Sequence, residues 1–145
     1  MSELVGPLYE QIKTYCRHGD TLADAKSYEP AIAEYNKAWE LIPEPKNDWS
    51  ASTWVLAAIG DAAFLGGYLT SAREALQYAM TCPDAVGNPF LHLRLGEVLH
   101  DLGHFDDAAD ELMRAYMAEG DEIFASEDPR YRQFLATRAD LNGAN

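Results

Sequence analysis

Four histidines are the first place to look for chemistry in this sequence. His100 and His104 stand four residues apart with Asp101 between them and Asp106 and Asp107 following, a spacing that would bring metal ligands together on one helix. Gly103 lies inside that interval and ends the helix there, so the two rings need not share a face. A histidine at the negative end of a helix dipole is the plainer reading, and no metal is expected. His18 and His92 lie on first helices and read as packing or groove residues. Cys16 and Cys82 are far apart, without metal-ligand spacing, and read as two buried thiols in a reducing compartment. No Ser-His-Asp logic, glycine-rich phosphate loop or pair of acids in an apolar pocket is present. Clustered carboxylates on a solvated face are not a general acid-base pair. The expectation is a protein without catalysis and without a cofactor.

Charge narrows the partners. Twenty-four acids against eleven bases give a net charge of −13. Nucleic acid and anionic membrane surfaces are therefore poor partners, because phosphate binding needs concentrated lysine and arginine. The imbalance is also local: Asp101 to Asp128 holds ten acids and one base, Arg114. That stretch reads as a solubilising face or as a surface that draws in a basic partner. Apolar residues make up 48% of the 145, enough for a packed globule. The N-terminal residues lack a signal-peptide layout and no run approaches a membrane span, so the cytoplasm is expected.

The elements that must position these groups announce themselves by self-similarity. With Gly19, Gly60 and Gly96 aligned, the ninth residue onward is Tyr28, Leu69 or Phe105, and the twelfth is Ala31, Ala72 or Ala108. Tyr35, Leu76 and Leu112 follow, then Ala38, Ala79 and Ala115. Small residues suit the close crossing of two helices in a hairpin, and the large ones are expected to fill the space between successive hairpins. Gly67 and Gly103 end the first helices of their hairpins, with Lys26 in place of the glycine in the first copy. Pro43 and Pro83 stop the second helices. Pro7 opens the first helix, and Asn88-Pro89 supplies a cap and a first-turn proline for the fifth.

This register resembles the tetratricopeptide repeat (TPR), over about residues 12 to 120. The resemblance implies an all-α, right-handed α-solenoid forming one domain over residues 1–145. Its three hairpins are expected at about 7–43, 48–83 and 88–120, with a capping helix at about 128–140. The anchors are 41 and then 36 residues apart against a typical ~34, and the excess falls in polar loops at Glu44 to Ser50 and Asp84 to Asn88. Tyr131, Phe134 and Leu135 form the apolar side of the last helix, with Arg130, Arg132 and Arg138 opposite, and Asn142 to Asn145 reads as a frayed tail.

In such arrays the first helices line a groove that holds a partner. The register places Lys13, Arg17 and Asp20 there from the first hairpin, Trp54, Asp61 and Phe64 from the second, and Phe90, Arg94, Glu97 and His100 from the third. Asp20, Asp61 and Glu97 each follow an anchoring glycine and would form an acidic ladder with aromatic flanks. That suits a basic helix or extended segment. The carboxylate clamp of chaperone-tail binders has Cys16, Asp20 and Asp61 at its places here, which would repel a carboxylate.

The stretch from Trp39 through Pro43, Trp54 and Asn88-Pro89-Phe90 to Glu111–Tyr116 is similar to short stand-alone bacterial TPR proteins, some of which are toxin immunity proteins. This resemblance implies an antidote that covers a basic toxin domain. A peptide-binding adaptor or secretion-type chaperone is the alternative. A self-associating module, a homodimer through Trp49, Trp54 or the last helix, is the third reading.

Overall fold

The computed structural model describes residues 3–141; Met1, Ser2 and the expected tail Asn142 to Asn145 lie outside the described residues. Among these the regular structure is entirely helical. α1 (Gly6–Asp24) and α2 (Tyr28–Leu41) form one hairpin, and α3 (Ser50–Leu65) and α4 (Leu69–Ala79) a second. α5 (Pro89–Asp101) and α6 (Phe105–Glu119) form a third, followed by a 3-10 turn at Gly120–Phe124 and α7 (Pro129–Ala136). The chain divides into two compact units, Met1–Val86 and Gly87–Asn145.

The repeat register has a direct steric cause. A Cβ on Gly19 would lie 2.5 Å from the Tyr35 ring; on Gly60 it would lie 2.6 Å from Leu76, and on Gly96 2.7 Å from Leu112. Each glycine thus admits the large residue sixteen positions later, and the two helices close on each other. Ala31, Ala38, Ala72, Ala79, Ala108 and Ala115 are all fully buried at the same crossings.

The turns are equally regular. Ser27 N–H donates to Leu22 O, Tyr68 N–H to Ala63 O and His104 N–H to Leu99 O, each at 2.8 Å. This is one helix-ending motif made three times, and it requires a left-handed residue. Gly67 (φ 87°) and Gly103 (φ 86°) supply it, and Lys26 takes the same conformation (φ 63°) despite its side chain.

In the first unit α2 packs on α3 as well as on α1. The expected loop after α2 contains a 3-10 turn, Lys46–Asp48. Lys46 Nζ donates to the carbonyls of Trp39 and Ile42 at 2.7 and 2.6 Å, neutralising the end of α2. Trp49 Nε1–H is tied to Pro43 O at 2.9 Å, and the Ser52 hydroxyl donates to Lys46 O.

In the second unit Asn88 caps α5 through Leu91 N–H at 3.2 Å, as its sequence indicates. α7 is shorter than the expected 128–140. Thr137 Oγ1 turns back onto Phe134 O, Ala139 N–H bonds Leu135 O, and the chain leaves the helix. Tyr116 O–H then fixes it through Leu141 O at 2.6 Å. Tyr131 and Leu135 are buried, and the Phe134 ring sits 5.7 Å from Phe105 of α6. No described helix is long and apolar enough to cross a membrane.

Candidate functional site

On α1, Tyr9, Lys13, Cys16 and Asp20 recur at helical spacing and share one face; eleven residues separate Tyr9 from Asp20, about 16 Å along the axis. On α3, Trp54 and Asp61 are two turns apart on one face in the same way. The structure brings the two helices' residues together in two groups.

The first group is aromatic. Trp54, 37% exposed, meets Tyr9 edge-on with centroids 6.4 Å apart. Lys13 Nζ lies over the Tyr9 ring at 4.5 Å and pairs with Glu10 at 3.2 Å. Tyr9 was not among the expected site residues. It lies one turn before Lys13 on the same helix face, a spacing that could have identified it.

The second group is acidic. Tyr35 O–H, reaching from α2, donates to Asp20 Oδ1 at 2.7 Å. Burial raises the Tyr35 hydroxyl far above the ordinary tyrosine value, and the hydrogen bond to Asp20 and the charges of Asp20, Cys16 and Asp61 add to it. The Cys16 thiol is pushed up to about 11 by burial first and by Asp20 second, which leaves it an unreactive thiol. The charges of Asp20 and Asp61 therefore both act on the one phenol. Arg17 is exposed and hydrogen-bonds Thr14 through Nη2 at 3.0 Å, while Phe64 is half-buried.

The residues expected in the groove from α5 behave differently. Glu97 is fully buried rather than exposed on an acidic ladder, and Arg94 is buried beside it. Arg94 Nη1 bridges Glu97 Oε1 at 2.5 Å and Glu127 Oε1 at 2.7 Å, and its guanidinium lies 5.1 Å from the centre of the Phe90 ring. The second oxygen, Glu97 Oε2, has no hydrogen-bond partner among the described residues. Burial pushes the Glu97 carboxyl up to about 9, Glu127 raises it further, and Arg94 opposes the shift. Glu97 is therefore a neutral acid near pH 7 and contributes no charge to a groove.

His100, also expected in the groove, is enclosed by rings: Phe134 at 4.9 Å, Tyr131 at 5.3 Å and Phe105 at 5.5 Å. Its Nδ1 faces Asp101 Oδ1 at 2.9 Å. His104 occupies the N-cap position of α6 without a side-chain capping bond and stands exposed. Among the described residues no three or more His, Cys, Asp or Glu side chains come together as a metal site.

The acids of residues 101–128 meet arginines of the chain itself. Arg130 binds Asp101 at 2.9 Å and Asp128 at 3.4 Å, Arg132 binds Asp121 at 2.9 Å, and Arg138 binds Asp106 at 2.8 Å. A face read from sequence as a solvated or partner-seeking surface is in part an internal ion-pair network. The sequence signal was present in the three arginines of the last helix, but spacing alone does not say which acids they reach.

Residues 12–45, covering most of α1 and all of α2, match the family model described as "Tetratricopeptide repeat". No curated protein sequence matches the chain. Among solved structures, the "Arabidopsis OM64 TPR domain" superposes with a TM-score of 0.73 at 16% identity, covering 91% of this chain and 99% of that one. At that identity the likeness speaks to fold. Residues 12–45 thus resemble a tetratricopeptide repeat, and the chain has the all-helical fold of a TPR domain, consistent with an α-solenoid.

Proposed function

We propose that the chain is a protein-binding scaffold whose α1 and α3 faces hold a basic segment of another protein. The observation that carries this is the exposed Asp20 held by the Tyr35 hydroxyl, on which the charge of Asp61 also acts, with exposed Trp54 on α3 and half-buried Tyr9 farther along α1. Charge steers a basic residue to the acids, and a desolvated aromatic supplies an anchor for an apolar one. The separation of about 16 Å between Tyr9 and Asp20 along α1 corresponds to about five residues of extended chain. A partner segment with a lysine or arginine and a large apolar residue at that spacing fits both ends. Phe64 and Arg17 border this face, and Lys13 stands between its two ends. Glu97, Arg94, Phe90 and His100 belong to the internal structure of the second unit and are left out of the binding face.

The resemblance to short bacterial TPR proteins extends the reading to an immunity function in the cytoplasm, with a basic toxin domain as the partner. The net charge of −13 favours a basic partner over an acidic one. Affinity capture from the native cell, followed by mass spectrometry, tests both levels. A basic protein should be captured, and its toxicity on expression should be relieved by the wild-type chain. The double variant D20K/D61K should lose capture with unchanged helicity, whereas E119K, an exposed change on α6, should keep it. Capture retained by folded D20K/D61K would remove this face from the function, and a captured partner without toxicity would remove the immunity reading alone.

A further inference from the structure

The first unit carries a second groove on a different set of helices, lined from α2, α3 and α4 and enclosing about 240 Å³. Leu56 and Ile59 of α3, nearly buried, contribute apolar surface to it. Trp39 of α2 and Tyr78 of α4 meet edge-on in its lining, with centroids 5.3 Å apart and planes at 85°. Trp39 is held from elsewhere too: Lys46 Nζ lies 4.9 Å from its ring centre while bonded to the carbonyls of Trp39 and Ile42. Tyr78 is 42% exposed although its ring is packed on Trp39.

The polar groups are what distinguish this groove from a gap between helices. Asn36, Ser71 and Glu74 line it, all exposed, and none makes a side-chain hydrogen bond or ion pair within the described residues. Ser71, Glu74 and Tyr78 lie at i, i+3 and i+7 of α4 and so share one face. Glu74 is the only charged side chain in the lining. The first-helix face described above uses none of these residues.

We propose that this groove is a second binding site, which takes an arginine side chain from an extended segment of a partner protein. The volume lies below the roughly 300–1,000 Å³ of pockets that enclose drug-sized ligands, so one side chain fits it better than a whole small molecule. An arginine stem is apolar and covers surfaces such as Leu56 and Ile59 while its head stays at the rim. The guanidinium is planar, stacks on an aromatic face such as Tyr78, and offers a fork of donors. Glu74 accepts that fork with charge, and Asn36 and Ser71 supply neutral oxygens for the remaining N–H groups. Lysine presents a compact, strongly hydrated charge that stacks less well and cannot fork, so it fits less well. The single acid in the lining and the chain's net charge of −13 argue for a cationic occupant over a second copy of this acidic chain.

The test is a titration of the full chain, labelled with ¹⁵N, with N-acetyl-arginine amide, N-acetyl-lysine amide and the uncharged isostere N-acetyl-citrulline amide. Arginine amide should give saturable shifts at the Trp39 indole N–H and at the amides of residues 71–78. Citrulline amide should bind at least tenfold more weakly, and E74Q should weaken arginine amide at least tenfold with an unchanged circular dichroism spectrum. D20K/D61K should leave the binding intact, which separates this site from the first-helix face. Equal binding of citrulline, equal binding by E74Q, or shifts confined to other residues would overturn the proposal. Lysine amide binding as tightly as arginine amide would overturn the guanidinium assignment. Concentration-dependent self-association that protects the same signals would instead place a second copy in the groove.

Discussion

Replacing Glu97 with glutamine should stabilise the protein near neutral pH, and the gain should grow as pH rises. In the folded chain the Glu97 carboxyl is pushed from an ordinary value of 4.5 up to about 9, chiefly by burial, with Glu127 adding to the shift and Arg94 opposing it. A raised carboxyl value means that the folded state favours the protonated form. Its contribution is complete below pH 4.5, where folded and unfolded chains both hold the proton. It is lost as pH rises from 4.5 to about 9, because only the unfolded chain gains by ionising there. The limiting slope is about 1.4 kcal/mol per pH unit, so wild type should fall relative to the variant by up to about 2.7 kcal/mol between pH 6 and pH 8. Glutamine keeps the shape and can accept from Arg94 while donating toward Glu127, so it preserves the neutral arrangement without titrating. Urea denaturation of both proteins at half-unit steps of pH measures the difference directly, with other titrating groups cancelling to first order. Parallel stability curves would refute the reasoning. They would mean that Glu97 is ionised in the folded protein and that Arg94 outweighs burial.

Two further substitutions test the repeat geometry. Lys26→Gly removes a side chain from a left-handed position (φ 63°) whose counterparts are Gly67 and Gly103, and should raise stability by about 1 kcal/mol in chemical denaturation; a loss would show that the Lys26 side chain contributes more than its strain. Gly60→Ala puts a methyl group 2.6 Å from the buried Leu76 side chain and should cost about 1–3 kcal/mol despite alanine's better helix propensity, with a lower urea midpoint and an unchanged slope.

The hairpins were legible because close crossings leave a chemical record. A glycine that faces Tyr35, Leu76 or Leu112 cannot carry a Cβ, so the position is readable as a residue type at a fixed offset. The turn motif is readable for the same reason, and even Lys26 keeps the backbone of the glycine it replaces. Asp20 and Asp61 each follow an anchoring glycine in the same register, and both charges act on the Tyr35 hydroxyl. Glu97 follows its own anchor in the same way, yet it is buried. What differs is Glu127, thirty residues away in the segment before α7, together with Arg94 on the helix itself. Repeat position encodes direction from the helix axis. It does not encode whether a distant segment will cover that direction. The second groove was missed for a related reason: Asn36, Trp39, Glu74 and Tyr78 are unremarkable on their own helices and form a lining only once α2 and α4 stand beside α3.

The disposition of charge separates the two units further. Every basic side chain of Gly87–Asn145 is an arginine, and each of the five, Arg94, Arg114, Arg130, Arg132 and Arg138, holds at least one acid of that unit. A cationic partner approaching Asp101, Asp106 or Asp121 must therefore displace an arginine that is already tethered at high effective concentration. In Met1–Val86 the donor to Asp20 is a neutral phenol, which satisfies a hydrogen bond without cancelling the charge. Glu74 has no partner at all within the described residues. Solvent-exposed ion pairs add little stability, so the arginines of α7 position the helix more than they strengthen it. Their larger effect is to quench the most acidic stretch of the sequence. Each unit has 12 acids, against 6 bases in Met1–Val86 and 5 in Gly87–Asn145, so the units differ in which acids are tethered and not in long-range attraction.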